Sequence, residues 1–265
     1  MTPIPPLVVD GTEVLVEGEG QQTLVMIHGW PDTRELWTPQ VAHFRGRFRC
    51  VRFTLPGFEP GGRTRALEPK AMVAHLASIL DAVSPGQPVV LMVHDWGAIY
   101  GWQLAMAHPS RVAGIVGIDV GDTASGEFLR SLTPKAKAGM ALYQLVLAAA
   151  WKMPAPLGDA ITRRMARLLR APAPEAAHAG MNHPYAALWS GGFKGSKRVQ
   201  PACPTLFIWG ERKPFLFHAR AWADRLAAMP GCAAVGLPAG HWVMVNQPEA
   251  FHRTVDDWLR ATRQL

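Results

Sequence analysis

Short, continuous apolar segments recur along this chain and alternate with stretches of helical periodicity. The first four are TLVMIH at 23–28, CVRFTL at 50–55, VVLMVH at 89–94 and VAGIVGID at 112–119. Strands that are apolar at nearly every position belong in a parallel sheet whose two faces are both covered by helices. The pattern therefore predicts an α/β fold with a mostly parallel sheet flanked by helices.

The strand pattern stops after Asp119. Residues 123–200 have the spacing of helices and loops, with an apolar helix around 143–151 and a proline-rich break, APAP, at 171–174. No segment in this region has the pattern of a strand. We therefore predict an inserted helical cap at 123–200.

The strand pattern then returns for the last part of the chain. PTLFIWG at 204–210 and CAAVGLP at 232–238 are predicted strands, and each is followed by a predicted helix. The insertion thus interrupts one sheet, so the core is formed by 1–122 and 201–265. Such an arrangement puts a pocket between core and cap, where open α/β sheets bind ligands.

The composition is typical of a globular protein. Of 265 residues, 49% are hydrophobic and 18% are charged, which is too apolar for a disordered chain. No apolar run is long enough to span a bilayer, and the N-terminal MTPIPPLVVDG lacks the features of a secretory signal. We therefore expect a cytoplasmic protein without a membrane partner.

The net charge of +7 does not indicate a nucleic-acid partner, because the basic residues are scattered and no recognised binding motif accompanies them. Three cysteines, Cys50, Cys203 and Cys232, are an odd number at wide spacing, which fits neither a disulfide framework nor a zinc site. We expect buried thiols, and we leave open whether the chain forms a homodimer.

The segment VHDWGA at 93–98 joins an apolar strand to a helix predicted to begin near Ala98. A sharp strand-to-helix turn of this kind presents a nucleophile, here Asp95, and needs small residues on both sides. Gly97 is small, whereas Val93 occupies the other position, where glycine is usual. By itself, Asp95 could equally be a helix N-cap.

Two further motifs favour a nucleophile over a cap. HGWP at 28–31 follows the first apolar strand, where this kind of fold provides a backbone N–H, that of Trp30, which forms an oxyanion hole with the N–H of Trp96. Gly240, His241 and Trp242 follow the last strand, where a loop histidine reaches the nucleophile as a general base. The three motifs occur in the order that one such site requires.

With HGWP, HDWGA and GHW, the chain resembles the epoxide hydrolases and haloalkane dehalogenases of the α/β-hydrolase superfamily, and the first two motifs are most similar to epoxide hydrolases. The resemblance implies that Asp95 attacks an sp³ carbon and forms an alkyl ester, which water activated by His241 hydrolyses. A carboxylate suits this chemistry, because a serine would form an ether that has no carbonyl for water to attack. The resemblance implies a small apolar epoxide-like substrate, a diol product, and no metal or organic cofactor.

Epoxide opening also needs an acid for the departing oxygen, and related families use two cap tyrosines. Tyr143, in the first long cap helix, and Tyr185, in NHPY at 182–185, resemble this pair. The alternative for each is an aromatic that packs between core and cap. Tyr100, after the nucleophile turn, is expected in the core.

Two other functions stay open. Dehalogenases hold a halide with N–H groups, one from the residue after the nucleophile, here Trp96, and another often from an asparagine where this chain has Trp30. Val93 is a feature that we associate more with dehalogenases. A degenerate hydrolase that only binds a ligand is the third reading, because Lys213 stands where many relatives have an acid.

Several residues are candidates for the acid that orients His241. In GERK at 210–213 the lysine takes the place of the aspartate in the pattern Gly-x-x-Asp, and a lysine cannot accept the histidine N–H. Some dehalogenases carry the acid after the sixth strand instead. We therefore rank Asp119 first, Asp122 second and Glu211 third, with helix or loop capping as the alternative role for the two aspartates.

Overall fold

The strands of this protein lie side by side in one sheet. The computed structural model describes residues 7–262, and within this range the sheet has eight strands in the order β1-β2-β4-β3-β5-β6-β7-β8. In chain order the strands are β1 (Leu7–Val9), β2 (Thr12–Glu17), β3 (Gln22–Ile27), β4 (Phe48–Phe53), β5 (Val89–His94), β6 (Val112–Ile118), β7 (Thr205–Gly210) and β8 (Ala233–Leu237).

The sheet confirms the predicted α/β fold. Neighbouring strands from β4 to β8 in this order are parallel, whereas β2 pairs with both β1 and β4 in antiparallel fashion. Every residue of β5 is buried, as expected for a strand that is covered on both faces. The antiparallel strands β1 and β2 were not predicted, because β1 is short and TEVLVE in β2 alternates with polar residues at the edge of the sheet.

The helices follow the strands in alternation. They are α1 (Thr38–Phe44), α2 (Pro69–Val83), α3 (Trp96–Ala107), α4 (Gly126–Ser131), α5 (Pro134–Lys152), α6 (Ala155–Leu168), α7 (His183–Trp189), α8 (Arg220–Ala227), α9 (Val243–Asn246) and α10 (Pro248–Ala261). Helices α4 to α7 all lie between β6 and β7, where α5 packs against both α6 and α7. Hydroxyl caps begin α4 and α5: Ser125 accepts from the Phe128 N–H and Thr133 from the Ala136 N–H.

The register of the central strands aligns the ends from which the site is built. Val93 in β5 pairs with Ile27 in β3 and with Gly117 in β6, and Ile118 pairs with Ile208 in β7. Because these strands are parallel, the segments that follow them leave the sheet at the same edge. The HGWP motif, Asp95 and Asp119 therefore lie next to one another at this edge of the sheet.

The cysteines only partly follow the expectation of buried thiols. All three are free, and Cys50 in β4 is buried, but Cys203 and Cys232 are half-buried, because they lie in loops at the border of the sheet. None of the described helices is both long and apolar enough to cross a bilayer. Residues 1–6, on which the expectation about secretion partly rests, lie outside the described range.

Candidate active site

Asp95 lies on a sharp turn between β5 and α3. Its backbone has φ 54° and ψ −123°. Asp95 occupies the N-cap position of α3, but its side chain makes no capping hydrogen bond to the helix and is directed to other partners. A Cβ on Gly97 would stand 2.3 Å from the carbonyl oxygen of Ile27, so only glycine fits there. On the other side, a Cβ on Gly101 would stand 2.7 Å from Cγ1 of Val93. The small residue that the turn needs is therefore supplied by α3 and not by β5.

The two oxygens of the Asp95 carboxylate have different partners. Oδ1 accepts a hydrogen bond of 2.7 Å from the backbone N–H of Trp30, and Oδ2 lies 3.3 Å from Nε2 of His241. A Cβ on Gly29 would stand 2.4 Å from Oδ1 and 2.5 Å from the backbone nitrogen of Trp96, so this glycine allows the HGWP loop to approach the turn. The Asp95 side chain is 15% exposed, which leaves it accessible.

His28 holds the HGWP loop in place. Its Nε2 accepts from the backbone N–H of Leu55 at 2.9 Å, so Nδ1 carries the proton and donates to the carbonyl of Gly29 at 3.0 Å. Burial lowers the pKa of His28 to about 4, so the ring is neutral near pH 7. The motif thus orients the Trp30 N–H through a fixed histidine tautomer.

Asp119 is the acid that contacts His241. Its Oδ2 lies 2.5 Å from Nδ1 of His241, and its Oδ1 accepts from the Gly210 N–H at 2.9 Å and from the Lys213 ammonium. Asp119 is fully buried and has φ 67°. Burial by itself would raise the pKa of Asp119, but the charges of Lys213 and His241 outweigh burial and hold the pKa well below its usual range.

The charges around His241 and Asp95 support each other. Burial would lower the pKa of His241, but the carboxylates of Asp119 and Asp95 raise it to about 9. Burial would likewise raise the pKa of Asp95, but the hydrogen bond and charge of His241 lower it. In the free protein near neutral pH, Asp95 is therefore ionised and faces a protonated His241.

The other two acid candidates lie elsewhere. Asp122 is buried, but its Oδ1 accepts from the Val199 N–H at 3.1 Å and its Oδ2 lies 3.7 Å from Arg198. Glu211 is exposed and lies over Gly236, where a Cβ would meet its Oε1 at 2.4 Å. Asp122 thus holds the loop before β7 and Glu211 lies on β8, whereas the carboxylates that contact His241 are those of Asp119 and Asp95.

Tyr143 and Tyr185 lie together beside the turn that carries Asp95. The Tyr185 ring packs edge-on against Trp96 at 5.0 Å and Trp30 at 5.8 Å between centroids, and Tyr143 packs against Tyr185 at 6.0 Å. Burial, together with the negative charge of Asp95, raises the pKa of both hydroxyls above the usual value of 10. Both therefore keep their protons at neutral pH. Tyr100 is buried in the core, as expected.

A family model described as the alpha/beta hydrolase family matches residues 24–254, which is most of the chain. The chain belongs to the alpha/beta hydrolase family.

Several curated relatives of this α/β hydrolase are named epoxide hydrolases. Epoxide hydrolase srdG of Neurospora crassa is 36% identical over 100 residues, which is 35% of this chain and 29% of that protein. Epoxide hydrolase B of Mycobacterium tuberculosis is 34% identical over 101 residues, which is 37% of this chain and 28% of that protein. A third, named probable oxidoreductase EphD, from the same species, is 38% identical over 103 residues, which is 36% of this chain and 17% of that protein. The aligned part is less than a third of each relative.

Solved structures share the fold over nearly the whole chain. An epoxide hydrolase of Bacillus megaterium in complex with an inhibitor has a TM-score of 0.74, with 19% identity, 96% of this chain covered and 99% of that chain. A membrane phospholipase A has a TM-score of 0.65, with 18% identity, 98% of this chain covered and 86% of that chain. This α/β hydrolase is therefore similar to epoxide hydrolases, and its fold is one that different hydrolases share.

The hydrolase site contains residues that sequence analysis did not single out. Asn182 is fully buried, accepts from the Trp30 indole N–H at 2.8 Å and donates to the Thr162 hydroxyl at 2.8 Å. Its position three residues before Tyr185, within NHPY, is the only signal in the sequence. His94, directly before Asp95, is also buried, and its Nε2 lies 3.2 Å from the carbonyl of His241.

Proposed function

We propose that this hydrolase opens epoxides to vicinal diols through an alkyl ester on Asp95. One observation carries the proposal: the ionised Asp95 carboxylate has one oxygen at the Trp30 N–H and the other at His241, beneath two protonated tyrosines. Helices α4 to α7, within 123–200, act as the cap that provides these tyrosines, and 1–122 with 201–265 form the core.

In the first step, Oδ2 of Asp95 attacks one carbon of the epoxide. The carbon–oxygen bond of the ring breaks, and Tyr143 and Tyr185 stabilise and protonate the departing oxygen. Oδ1 stays at the Trp30 N–H as the carbonyl oxygen of the new ester. The high pKa of both tyrosines keeps the proton available until negative charge develops on the epoxide oxygen.

In the second step, water hydrolyses the ester. Ester formation removes the negative charge of Asp95, which is one of the causes that raise the pKa of His241. His241 thus loses its proton more readily once the ester has formed, and it passes this proton to the tyrosinate that the first step leaves. Its Nε2 then accepts a proton from the attacking water. Asp119 stabilises the imidazolium, and the N–H groups of Trp30 and Trp96 stabilise the oxyanion. As the tetrahedral intermediate collapses, the imidazolium protonates the departing diol oxygen. The Asp95 carboxyl then returns its proton to His241, which restores the starting state.

The test is a single turnover of styrene oxide with enzyme in excess in ¹⁸O-labelled water. If Asp95 is the nucleophile, the first diol carries unlabelled oxygen from Asp95, and the label enters the Asp95 carboxylate. Direct attack by water would label the diol instead. His241→Gln should accumulate the ester, seen as a mass increase on the peptide that contains Asp95, because losing a general base costs about 100-fold or more.

Matched variants separate the acids. Asp95→Ala and Asp119→Asn should lower diol formation by about 100-fold or more, whereas Glu211→Gln, the exposed acid on the neighbouring loop, should keep it. Folded protein with no ester and no diol from styrene oxide and aliphatic epoxides would contradict the proposal and favour a ligand-binding module.

A haloalkane or haloacid dehalogenase is the second candidate. The buried indole N–H of Trp96 makes no hydrogen bond of normal geometry within the described residues, which favours a bound halide, although it lies near enough to the Tyr185 hydroxyl to lower that tyrosine's pKa. The Trp30 indole N–H, in contrast, already donates to Asn182, so it is not free to serve as the second N–H that would hold a halide. Halide release from 1-bromobutane or fluoroacetate, without diol formation from epoxides, would favour this function.

A further inference from the structure

Lys213 is a buried cation that contacts the acid of the site. Its side chain is 7% exposed, and its ammonium donates to Oδ1 of Asp119 and lies 5.2 Å from the ring centre of Phe217. Phe217 in turn packs edge-on against His241 at 5.6 Å. Burying an ammonium is costly unless it is paired, and this pair includes a residue of the catalytic centre.

The backbone holds Lys213 in this position. The N–H of Glu211 donates to the Leu237 carbonyl at 3.0 Å, and the N–H of Arg212 donates to the Ala239 carbonyl at 2.8 Å. These bonds fix the loop after β7 against the end of β8, close to His241. The cation therefore occupies a fixed place and reaches Asp119 from the side opposite to the histidine.

We propose that Lys213 is a positioning residue that neutralises Asp119 and thereby limits how strongly Asp119 holds the proton of His241. For its effect on turnover the proposal rests on the proposed function. A buried carboxylate with a histidine as its only charged partner would hold the imidazolium tightly, and a tightly held proton makes a poor general base. With Lys213 on Oδ1, the carboxylate is shared between two cations. His241 then gives up its proton once the Asp95 ester has formed.

His241 is surrounded by charged or titratable groups from several elements. They are Asp32 after β3, His94 in β5, Asp95 before α3, Asp119 after β6, and Lys213 after β7, with His218 beside Lys213. Burial lowers the pKa of both His94 and His218, which keeps them neutral near pH 7. Of the cationic and histidine side chains among these groups, Lys213 is therefore the one that brings a positive charge to Asp119 beside His241.

The decisive experiment is a pH titration of the His241 ring by NMR in the free protein, with the signal assigned by comparison with His241→Gln. Lys213→Met should raise the pKa of His241 by about one unit or more, because it removes a positive charge one carboxylate away. Lys213→Arg keeps the charge and should restore most of the wild-type value. Arg212→Met, which removes an exposed cation from the same loop, should leave the titration unchanged.

The same variants are then tested in single turnovers of styrene oxide. At pH 7, a pKa that is one unit higher leaves about ten times less neutral histidine, so Lys213→Met should slow ester hydrolysis about tenfold and leave ester formation little changed. Raising the pH should recover the hydrolysis rate. A merely structural lysine would lower both steps without moving the pH profile.

Outcomes separate this proposal from the proposed function. An unchanged or lowered His241 pKa in Lys213→Met overturns the role of Lys213, whether or not epoxides are substrates. A raised pKa without turnover supports the role of Lys213 and contradicts the epoxide reaction. If Lys213→Met does not fold, two other variants replace it: Lys213→Gln, and the double variant Asp119→Asn with Lys213→Met, which removes both charges of the ion pair. In the double variant, the pKa of His241 should fall below the wild-type value.

Discussion

Asp32 is a buried carboxylate close to Asp95 and His241. It is 5% exposed, and its Oδ2 accepts from the Trp242 indole N–H at 2.8 Å. Burial raises the pKa of Asp32 to about 7, against the hydrogen bond from Trp242 and with the help of the negative charge of Asp95. Trp242 follows His241 directly, so Asp32 anchors the loop that carries the histidine.

Asp32→Asn should stabilise the protein at alkaline pH. The pKa of Asp32 in the folded state lies above that of an unfolded aspartate, so this residue lowers stability progressively as the pH rises from about 4 to about 7. Asparagine can still accept from Trp242. The free energy of unfolding in urea should match the wild type at pH 4 and exceed it by about 2–4 kcal/mol at pH 8, at about 1.4 kcal/mol per pKa unit.

Asp224→Asn is the matched control, since it removes an exposed carboxylate from α8 and should change neither value by more than about 0.5 kcal/mol. Equal free energies of unfolding for Asp32→Asn and wild type at pH 8 would mean that folding does not raise the pKa of Asp32.

At the scale of elements, α3 and β5 pack against each other next to the turn that carries Asp95. Val93 fills the place where glycine is usual, and Gly101, one turn into α3, provides the room for it. Valine therefore fits at position 93, where glycine is usual, because the facing residue in α3, Gly101, has no side chain.

A double-mutant cycle tests this exchange. Gly101→Ala should cost about 1–3 kcal/mol of stability, because the new Cβ overlaps with the Val93 side chain. Val93→Ala leaves a small cavity and should cost a similar amount. The double variant should be more stable than the sum of the single effects by about 1 kcal/mol or more in urea unfolding, whereas additive effects would contradict the contact.

A buried chain of hydrogen bonds links the HGWP loop to α6. It runs from the Trp30 indole through Asn182 to the Thr162 hydroxyl, which donates to the carbonyl of Gly158 at 2.7 Å. Trp30 also packs against Tyr185. The hydrogen bonds therefore hold α6 to the HGWP loop, next to Tyr185.

Asn182→Leu should loosen this link. It leaves the Trp30 indole N–H without its acceptor and removes the donor to Thr162, which we expect to cost about 2–4 kcal/mol in urea unfolding. The diol-forming rate should fall as well, because Tyr185 loses its support. Thr162→Val keeps the Trp30–Asn182 bond, so it should cost less stability and retain most of the rate. Equal rates in wild type and Asn182→Leu would show that the link does not position Tyr185.

For the whole molecule, the Cys50 thiol reports on opening of the sheet. It lies in β4 with no exposed surface, and burial raises its pKa to about 12. In Cys203→Ser with Cys232→Ser it is the only thiol. Labelling by a thiol reagent should require global unfolding, so the labelling rate should rise with urea with the full slope of unfolding. A rate independent of urea would indicate local opening, and Cys50→Ser, which keeps two half-buried thiols, should react faster.

The sheet of this protein could be predicted well from its sequence. Apolar runs such as Val89–His94 need cover on both faces, and this requirement is local to each segment. Asp95 and His241 could be predicted together because their motifs follow parallel strands, whose carboxyl ends share one edge. The edge strands Leu7–Val9 and Thr12–Glu17 could not, since their mixed polarity is also typical of loops.

The sequence by itself thus determined the order of the parallel strands and their helices, the turn that carries Asp95 and the histidine that faces it, because local periodicity and spacing carry that information. Only the tertiary structure decided which acid supports His241. From the sequence, Asp119, Asp122 and Glu211 were all candidates for this acid. Asp119 is the one that contacts His241, which lies 122 positions further along the chain, and Lys213, which lies 94 positions further along. Strand register and the buried charge of Lys213 determine those contacts, and neither leaves a local pattern.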